Sequence, residues 1–284
     1  MTKMAAVRGG LYGAAGTAST TVMMAARTAC EAAGLVPAWL RMSCVVLLSA
    51  GTVQLDAQVD SATKEPAMQA PTLTVRGCVD FEVTGRGDAL QWERADWVAL
   101  HTRPGGSHHY EARFKLLYSE KGIYVLFDGT DKQLTATMQQ DFQELWTEDV
   151  FECFFWTDEQ HPVYFEYEIS PLGRELPILI PNLNGRFLGW RPWQYEGARR
   201  TRKAVSARGG RCAPHANVSG WRAEVFIPYD LLQPLGNVPP QPGTRWRANF
   251  YRVDYDEGRT TAWDWARVGP SFHEYRSFGT LVFE

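Results

Sequence analysis

An antiparallel β-sandwich is predicted for the region from about Leu73 to Glu284, on three observations. Short segments rich in β-branched and aromatic residues alternate with boundaries of Gly, Pro, Asp and Ser. No helical pattern of ten residues or more is interleaved between them, which argues against a doubly wound parallel sheet. The composition also changes near residue 70, so the strand-rich part stands apart from what precedes it. With 284 residues, 45% of them apolar and 13% aromatic, the chain has material for one sizeable core.

Taken in order, Met1 to Ala33 is rich in Ala, Thr, Gly and Met and carries no apolar periodicity, so residues 1–41 read as a low-complexity extension outside the fold. Arg41 precedes the apolar run Met42 to Ala50, too short to span a bilayer but suited to a signal-peptide core; residues 42–57 read as that peptide, with cleavage after Ala57. The long stretch upstream of Arg41 suggests that translation begins at Met42. Export makes the expected location secreted or periplasmic. Residues 58–72, with Ser, Ala, Lys, Glu and Pro, read as a linker.

Strands are expected at 111–118, 122–129, 150–156, 163–170, 221–227, 245–255 and 281–283. Ser119-Glu120-Lys121-Gly122 is expected to form a hairpin turn. Asp131 to Leu145 hints at a helical turn, and Pro228 to Leu232 at another. Arg199, Arg200, Arg202, Lys203, Arg208 and Arg211 form the one basic cluster and read as a solvated loop. A net charge of −3 and a pI near 6.1 give no broad basic field, so neither nucleic acid nor stable membrane insertion is expected. Cys78, Cys153 and Cys212 allow at most one disulfide in the domain and have no zinc spacing; Cys153, between Phe151 and Phe155, reads as a small buried apolar residue.

The segment Trp146 to Trp156 (WTEDVFECFFW) carries the most information about function. As a strand it places Val150, Glu152, Phe154 and Trp156 on one face and Phe151, Cys153 and Phe155 on the other, so Glu152 stands among large apolar groups and needs a partner. A Trp beside a carboxylate suits a sugar: the ring stacks on C–H groups and the carboxylate accepts from hydroxyls. Glu166 and Glu168 share a face with Tyr164, opposite Phe165, Tyr167 and Ile169, and should face solvent or a groove. Arg252 and Asp254 share a strand face and read as ordinary cross-strand ion pairs with neighbours. His108, His109 and His161 have no spaced partner. Trp190, Trp193, Trp263 and Trp265 lie in segments containing Gly or Pro and are read equally as core or as recognition residues.

Five features in register resemble the family 9 carbohydrate-binding modules. They are the strand-turn-strand from Leu116 to Asp131, the Trp146-x-x-Asp149-x-x-Glu152 element, the Gly220 to Pro228 strand, Asn249 in its aromatic strand, and the ending Phe278-Gly279-Thr280-Leu281. The resemblance implies a jelly-roll sandwich that binds a mono-, oligo- or polysaccharide between two aromatic side chains. It also implies structural calcium and a role in extracellular polysaccharide breakdown. Carried across, Trp146 is the first aromatic wall, Glu152 the carboxylate at the base, and Phe272 the second wall. Glu168 stands where the family has Arg, and Gly269 where it has Asn. Glu168 and Asn249 are expected at the rim. Asp131, Asp149 and Asp254 are the expected calcium ligands, as hard oxygens suit that ion.

Three functional classes fit these residues. A non-catalytic sugar-binding domain leads, and any partner polysaccharide-degrading enzyme is expected on a separate polypeptide. A glycoside hydrolase would draw two carboxylates from Glu148, Asp149, Glu152, Glu166 and Glu168. A haem-binding sandwich would need axial ligands, for which the domain offers Met138 and scattered histidines.

Overall fold

The computed structural model describes residues 70–284. The expected extension (1–41), signal peptide (42–57) and nearly all of the linker (58–72) lie outside the described residues. Within them the chain is built from strands: Thr72–Gly77 (β1), Ala112–Tyr118 (β2), Gly122–Gly129 (β3), Val150–Trp156 (β4), Val163–Ile169 (β5), Glu175–Leu183 (β6), Arg202–Arg208 (β7), Gly220–Pro228 (β8), Arg245–Asp254 (β9), Thr261–Asp264 (β10) and Gly279–Phe283 (β11). One α-helical turn, Tyr229–Leu232, follows β8 where Pro228 leads into it.

Two sheets face each other. The first runs β6-β5-β4-β9-β11-β1 and the second β1-β2-β3-β8-β7. β1 belongs to both: its first half runs parallel to β11 and its last two residues run parallel to β2, while the pairings among the other strands are antiparallel. Between the sheets lies the main core. Phe114 stacks on Phe250 at 3.8 Å and Phe127 on Phe151 at 4.9 Å, with Cys153, Phe155, Phe165 and Tyr167 buried around them. Each fully buried Phe contributes on the order of 1.5–3 kcal/mol. The period of two puts these residues inward and leaves Val150, Phe154, Trp156, Tyr164, Tyr251 and Val253 on the outer face of the first sheet, where loops cover them in a second apolar cluster. The three cysteines are free, and Cys153 is buried as expected.

Three expectations are corrected. The basic cluster is partly strand: β7 pairs with β8, Arg208 is paired with Asp128, Lys203 reaches Asp141 and Glu175 at 2.8 Å, and Arg202 lies over the Phe226 ring. Residues 131–145 form no helical turn; only Leu145–Thr147 closes a 3-10 turn. Carboxylates take the backbone N–H groups a helix would need: Asp131 those of Gln133, Asp149 that of Thr135, and Glu148 those of Thr137 and Met138. β6 escapes a strand reading because Pro177 and Pro181 interrupt its sequence, yet it pairs along its length with β5. Among the described residues no helix is long and apolar enough to cross a membrane.

Candidate functional site

A pocket of about 590 Å³ opens over the outer face of the first sheet. Its floor is Glu152 and Phe154 of β4, Glu166 of β5 and Ile178 of β6. Trp146 and Trp190 line one part, and Phe187, Phe272, His273, Arg103 and Tyr255 line the rest. Trp146 is held by the 3-10 turn whose Leu145 is buried, and the Tyr255 hydroxyl donates to its carbonyl at 2.6 Å. Trp190 meets it edge-on at 5.6 Å. Both rings remain half-buried.

Phe272 lies flat on Tyr251, with centroids 4.2 Å apart and planes 6° apart. Nothing fits between rings that close, so the Arg103 guanidinium, 4.9 Å from the Phe272 centroid, covers the opposite face. Arg103 is itself fixed by Asp264 at 2.7 Å and by the Gly269 and Pro270 carbonyls. His273 stacks between Phe187 at 4.2 Å and Phe154 at 5.8 Å, and its Nδ1 meets the Tyr164 hydroxyl at 2.6 Å. Burial holds its pKa down near 4.

Glu152 and Glu168 face each other across β4 and β5, and Glu166 follows on the same face. Burial raises the Glu152 pKa from 4.5 to about 8. Burial first, and the neighbouring carboxyls second, push Glu166 and Glu168 well above the usual carboxylate range. The Trp146 backbone N–H eases the Glu168 charge slightly without making a hydrogen bond of normal geometry. Glycoside hydrolysis by a carboxyl pair needs one member kept ionised while the other holds a proton. Here all three are pushed the same way.

The sequence profile of the carbohydrate-binding family 9 matches residues 86–283. The chain belongs to this family. In three dimensions it resembles a proposed carbohydrate-binding protein from Bacteroides uniformis (TM-score 0.64, 18% identity, 76% of this chain and 100% of that one). It also resembles a family 9 module from Caldicellulosiruptor kristjanssonii solved with cellotriose (TM-score 0.54, 15% identity, 75% of this chain and 93% of that one). An Arthroderma benhamiae protein described as an extracellular protein is 23% identical over 181 residues, covering 61% of this chain and 78% of that protein.

Against this family 9 frame, Trp146, Glu152 and Phe272 all line the one pocket. Glu168 lies beneath it, fully buried. Asn249 is placed below the wall, away from the rim expected for it. Its side chain donates to the Tyr251 hydroxyl at 2.7 Å and the Ala266 carbonyl at 2.9 Å, and its oxygen accepts from the Ala266 N–H at 2.8 Å. Tyr251 in turn donates to the Phe272 carbonyl at 2.9 Å, so Asn249 fixes the second wall through its support. Of the four tryptophans left open, Trp263 and Trp265 are core, Trp193 is tied to the Leu231 carbonyl at 2.7 Å, and Trp190 lines the pocket. Met138 packs in the outer apolar cluster. Sequence reasoning missed Arg103, Phe187 and His273. His273 had the signal of following Phe272 directly; Arg103, a lone loop arginine, had none.

The aspartates gather elsewhere on the sheet. Oxygens of Asp131, Asp254 and Asp256 lie within 4.8 Å of one another. The Arg252 guanidinium bonds Asp131 at 3.0 Å and Asp254 at 2.7 Å, His108 Nδ1 meets Asp254 at 2.9 Å, and Tyr110 donates to Asp256. His108, read as an unpartnered loop histidine, is therefore part of this buried cluster. Asp256 joins in place of Asp149, because Asp149 spends its carboxylate on the N–H groups of Thr135 at 2.6 Å and Tyr255 at 2.9 Å. Asp149 is nonetheless raised to about 9, mainly by burial and then by Asp254 and Asp131. Asp131 is raised to about 7, by burial against the opposing pull of Arg252.

Proposed function

We propose that this chain is an exported, non-catalytic carbohydrate-binding module whose pocket over the first sheet holds one or two sugar units. The observation that carries this is the meeting of Trp146, Trp190 and Glu152 in one pocket of a family 9 domain. Trp146 offers a ring face to the sugar C–H groups, and Glu152 supplies the polar end. Phe272 sits between Tyr251 and Arg103, so it presents an edge, and Trp146 takes the larger share of the stacking. Cello-oligosaccharides are the first ligands to try, since the Caldicellulosiruptor kristjanssonii module was solved with cellotriose. Affinity electrophoresis of the full chain through gels containing cellulose derivatives, xylan and chitosan tests the reading. Retardation in at least one gel is expected, reversed by the matching free oligosaccharide; unretarded migration in all of them contradicts it.

Structural calcium at Asp131, Asp254 and Asp256 is a second proposal. It is supported by three buried carboxylates set against a single guanidinium, which leaves negative charge over. Asp149 serves as a brace there, holding backbone N–H groups. A lower melting temperature in chelator, restored by calcium, is the expected result; an unchanged melting temperature with no calcium by elemental analysis opposes it.

Binding without catalysis also fits the glutamates, which burial shifts in one direction instead of splitting into an acid and a base.

A further inference from the structure

Two carboxyls, Glu152 and Glu166, stand at the floor of the pocket, and a third, Glu168, lies buried behind them, without a Lys or Arg to answer them. Glu152, Glu166 and Glu168 are at most 4% exposed. Glu152 and Glu168 are direct cross-strand neighbours and Glu166 lies two residues along the same face, within reach of both. One oxygen of Glu166 and both oxygens of Glu168 have no hydrogen-bond donor outside the cluster, where Glu166 and Glu168 share a proton between them. Among the described residues no Lys or Arg pairs with any of the three; the nearest basic group is His273, 3.8 Å from Glu166, and its Nδ1 already meets Tyr164. Leaving buried carboxyl oxygens unmade costs on the order of 1–3 kcal/mol each. A floor that persists in this form suits a ligand that makes those bonds.

The remaining pocket groups narrow the ligand. Tyr255 spends its hydroxyl proton on the Trp146 carbonyl. Arg103 spends three of its five N–H donors on Asp264 and two backbone carbonyls, and Asp264 also takes Arg267 at 3.3 Å. Apart from the protons that the buried carboxyls themselves hold, the floor is thus rich in acceptors and short of free donors. An ammonium group brings three donors and no acceptor, whereas a hydroxyl brings acceptor lone pairs as well. Beside the floor, the Trp146 and Trp190 rings offer faces that attract a cation.

Resting on the reading that this pocket holds a sugar, we infer that its ligand is an amino sugar of glucosamine type, whose ammonium sits among Glu152, Glu166 and Glu168 while its ring lies against Trp146. Binding ionises at least one carboxyl and releases its proton to solvent. No bond other than O–H is broken. Glu168, which brings acceptors and no fixed positive charge to the buried side of the floor, then helps to suit the site to an ammonium.

The test is calorimetry of the full chain at pH 6.5 with three probes: the glucosamine disaccharide, its N-acetylated form and cellobiose. The amino form is expected to bind roughly tenfold or more tightly than either neutral form, the gain typical of charge-assisted hydrogen bonds. Titration in two buffers of different ionisation enthalpy should show proton release. Glu168→Gln and Glu166→Gln, each checked for an unchanged melting transition or better, should bring the ratio of affinities toward one. Equal or tighter binding of the neutral sugars overturns the inference and leaves the sugar-binding reading intact; a preference that survives both variants overturns the role given to the glutamates. No binding of any probe overturns the inference and weakens the broader reading with it.

Discussion

The two acidic clusters on the first sheet make opposite use of the same chemistry. Asp131, Asp254 and Asp256 are buried and answered: Arg252, His108, Tyr110 and backbone N–H groups reach their oxygens. Glu152, Glu166 and Glu168 are equally buried and left open, beneath a pocket. Both depend on strand parity, which puts Glu152, Tyr251 and Val253 on the outer face and Arg252 and Asp254 toward the other side. Partnered carboxyls lock loops to the sheet; unpartnered carboxyls at a pocket floor are material for binding.

The largest effect should come from the answered cluster. Arg252→Met removes the cation between Asp131 and Asp254, two carboxyls that cannot reach water, and should cost about 3–5 kcal/mol, the usual penalty for breaking a buried pair from one side. Urea denaturation measures it, and a loss below about 1 kcal/mol would mean the cluster is not held by Arg252. The open cluster should respond differently. Glu168→Gln replaces an unpaired carboxyl with a neutral group of the same shape, so stability should hold or rise by up to about 1 kcal/mol. A marked loss in that variant would place a hidden partner on Glu168 and erase the contrast.

pH sharpens the comparison further. An acid with a higher pKa folded than unfolded favours the fold while both forms are protonated, and the advantage fades as pH climbs to the folded value. For Glu152 that window runs from about 4.5 to about 8. Asp149 acts in the same direction, so the parent should lose stability as pH rises across this range. Glu152→Gln should flatten part of the slope. Melting temperatures at half-unit pH steps for both proteins check it, and parallel curves would mean Glu152 is already ionised in the fold.

The smallest effect concerns Asn249. Asn249→Ala frees the Tyr251 hydroxyl and the Ala266 backbone, so Phe272 should loosen and sugar affinity fall by roughly threefold to tenfold, the scale of one hydrogen bond. A variant that binds as the parent does would remove Asn249 from the support of the second wall.

Much of this was legible in the sequence where a period of two governs. The alternation in Val150–Trp156 and Val163–Ile169 assigned each residue to its face, and with it the company of Glu152, Glu166 and Glu168. Trp146 was legible because it stands just upstream of that strand, with Glu148 and Asp149 between. What depends on loops returning to the sheet was not: Arg103 arrives over Phe272 from a segment 169 positions earlier, and Phe187 and Trp190 from a turn beyond β6. Asp256 joins Asp254 through a turn in which Glu257 takes φ +56°, a conformation that composition does not announce. Glu148 and Asp149 read as candidate hydrolase carboxylates, and Asp149 also as a calcium ligand, yet both spend themselves on backbone N–H groups.

The central claim is that Trp146 is the stacking face of a sugar site. Once affinity electrophoresis has identified a retained sugar, calorimetric titration of that sugar into the parent and into Trp146→Ala tests it most directly. The account predicts a loss of roughly 1–3 kcal/mol in binding with an unchanged melting transition. Equal affinity in the two proteins would contradict it and move the site away from this pocket.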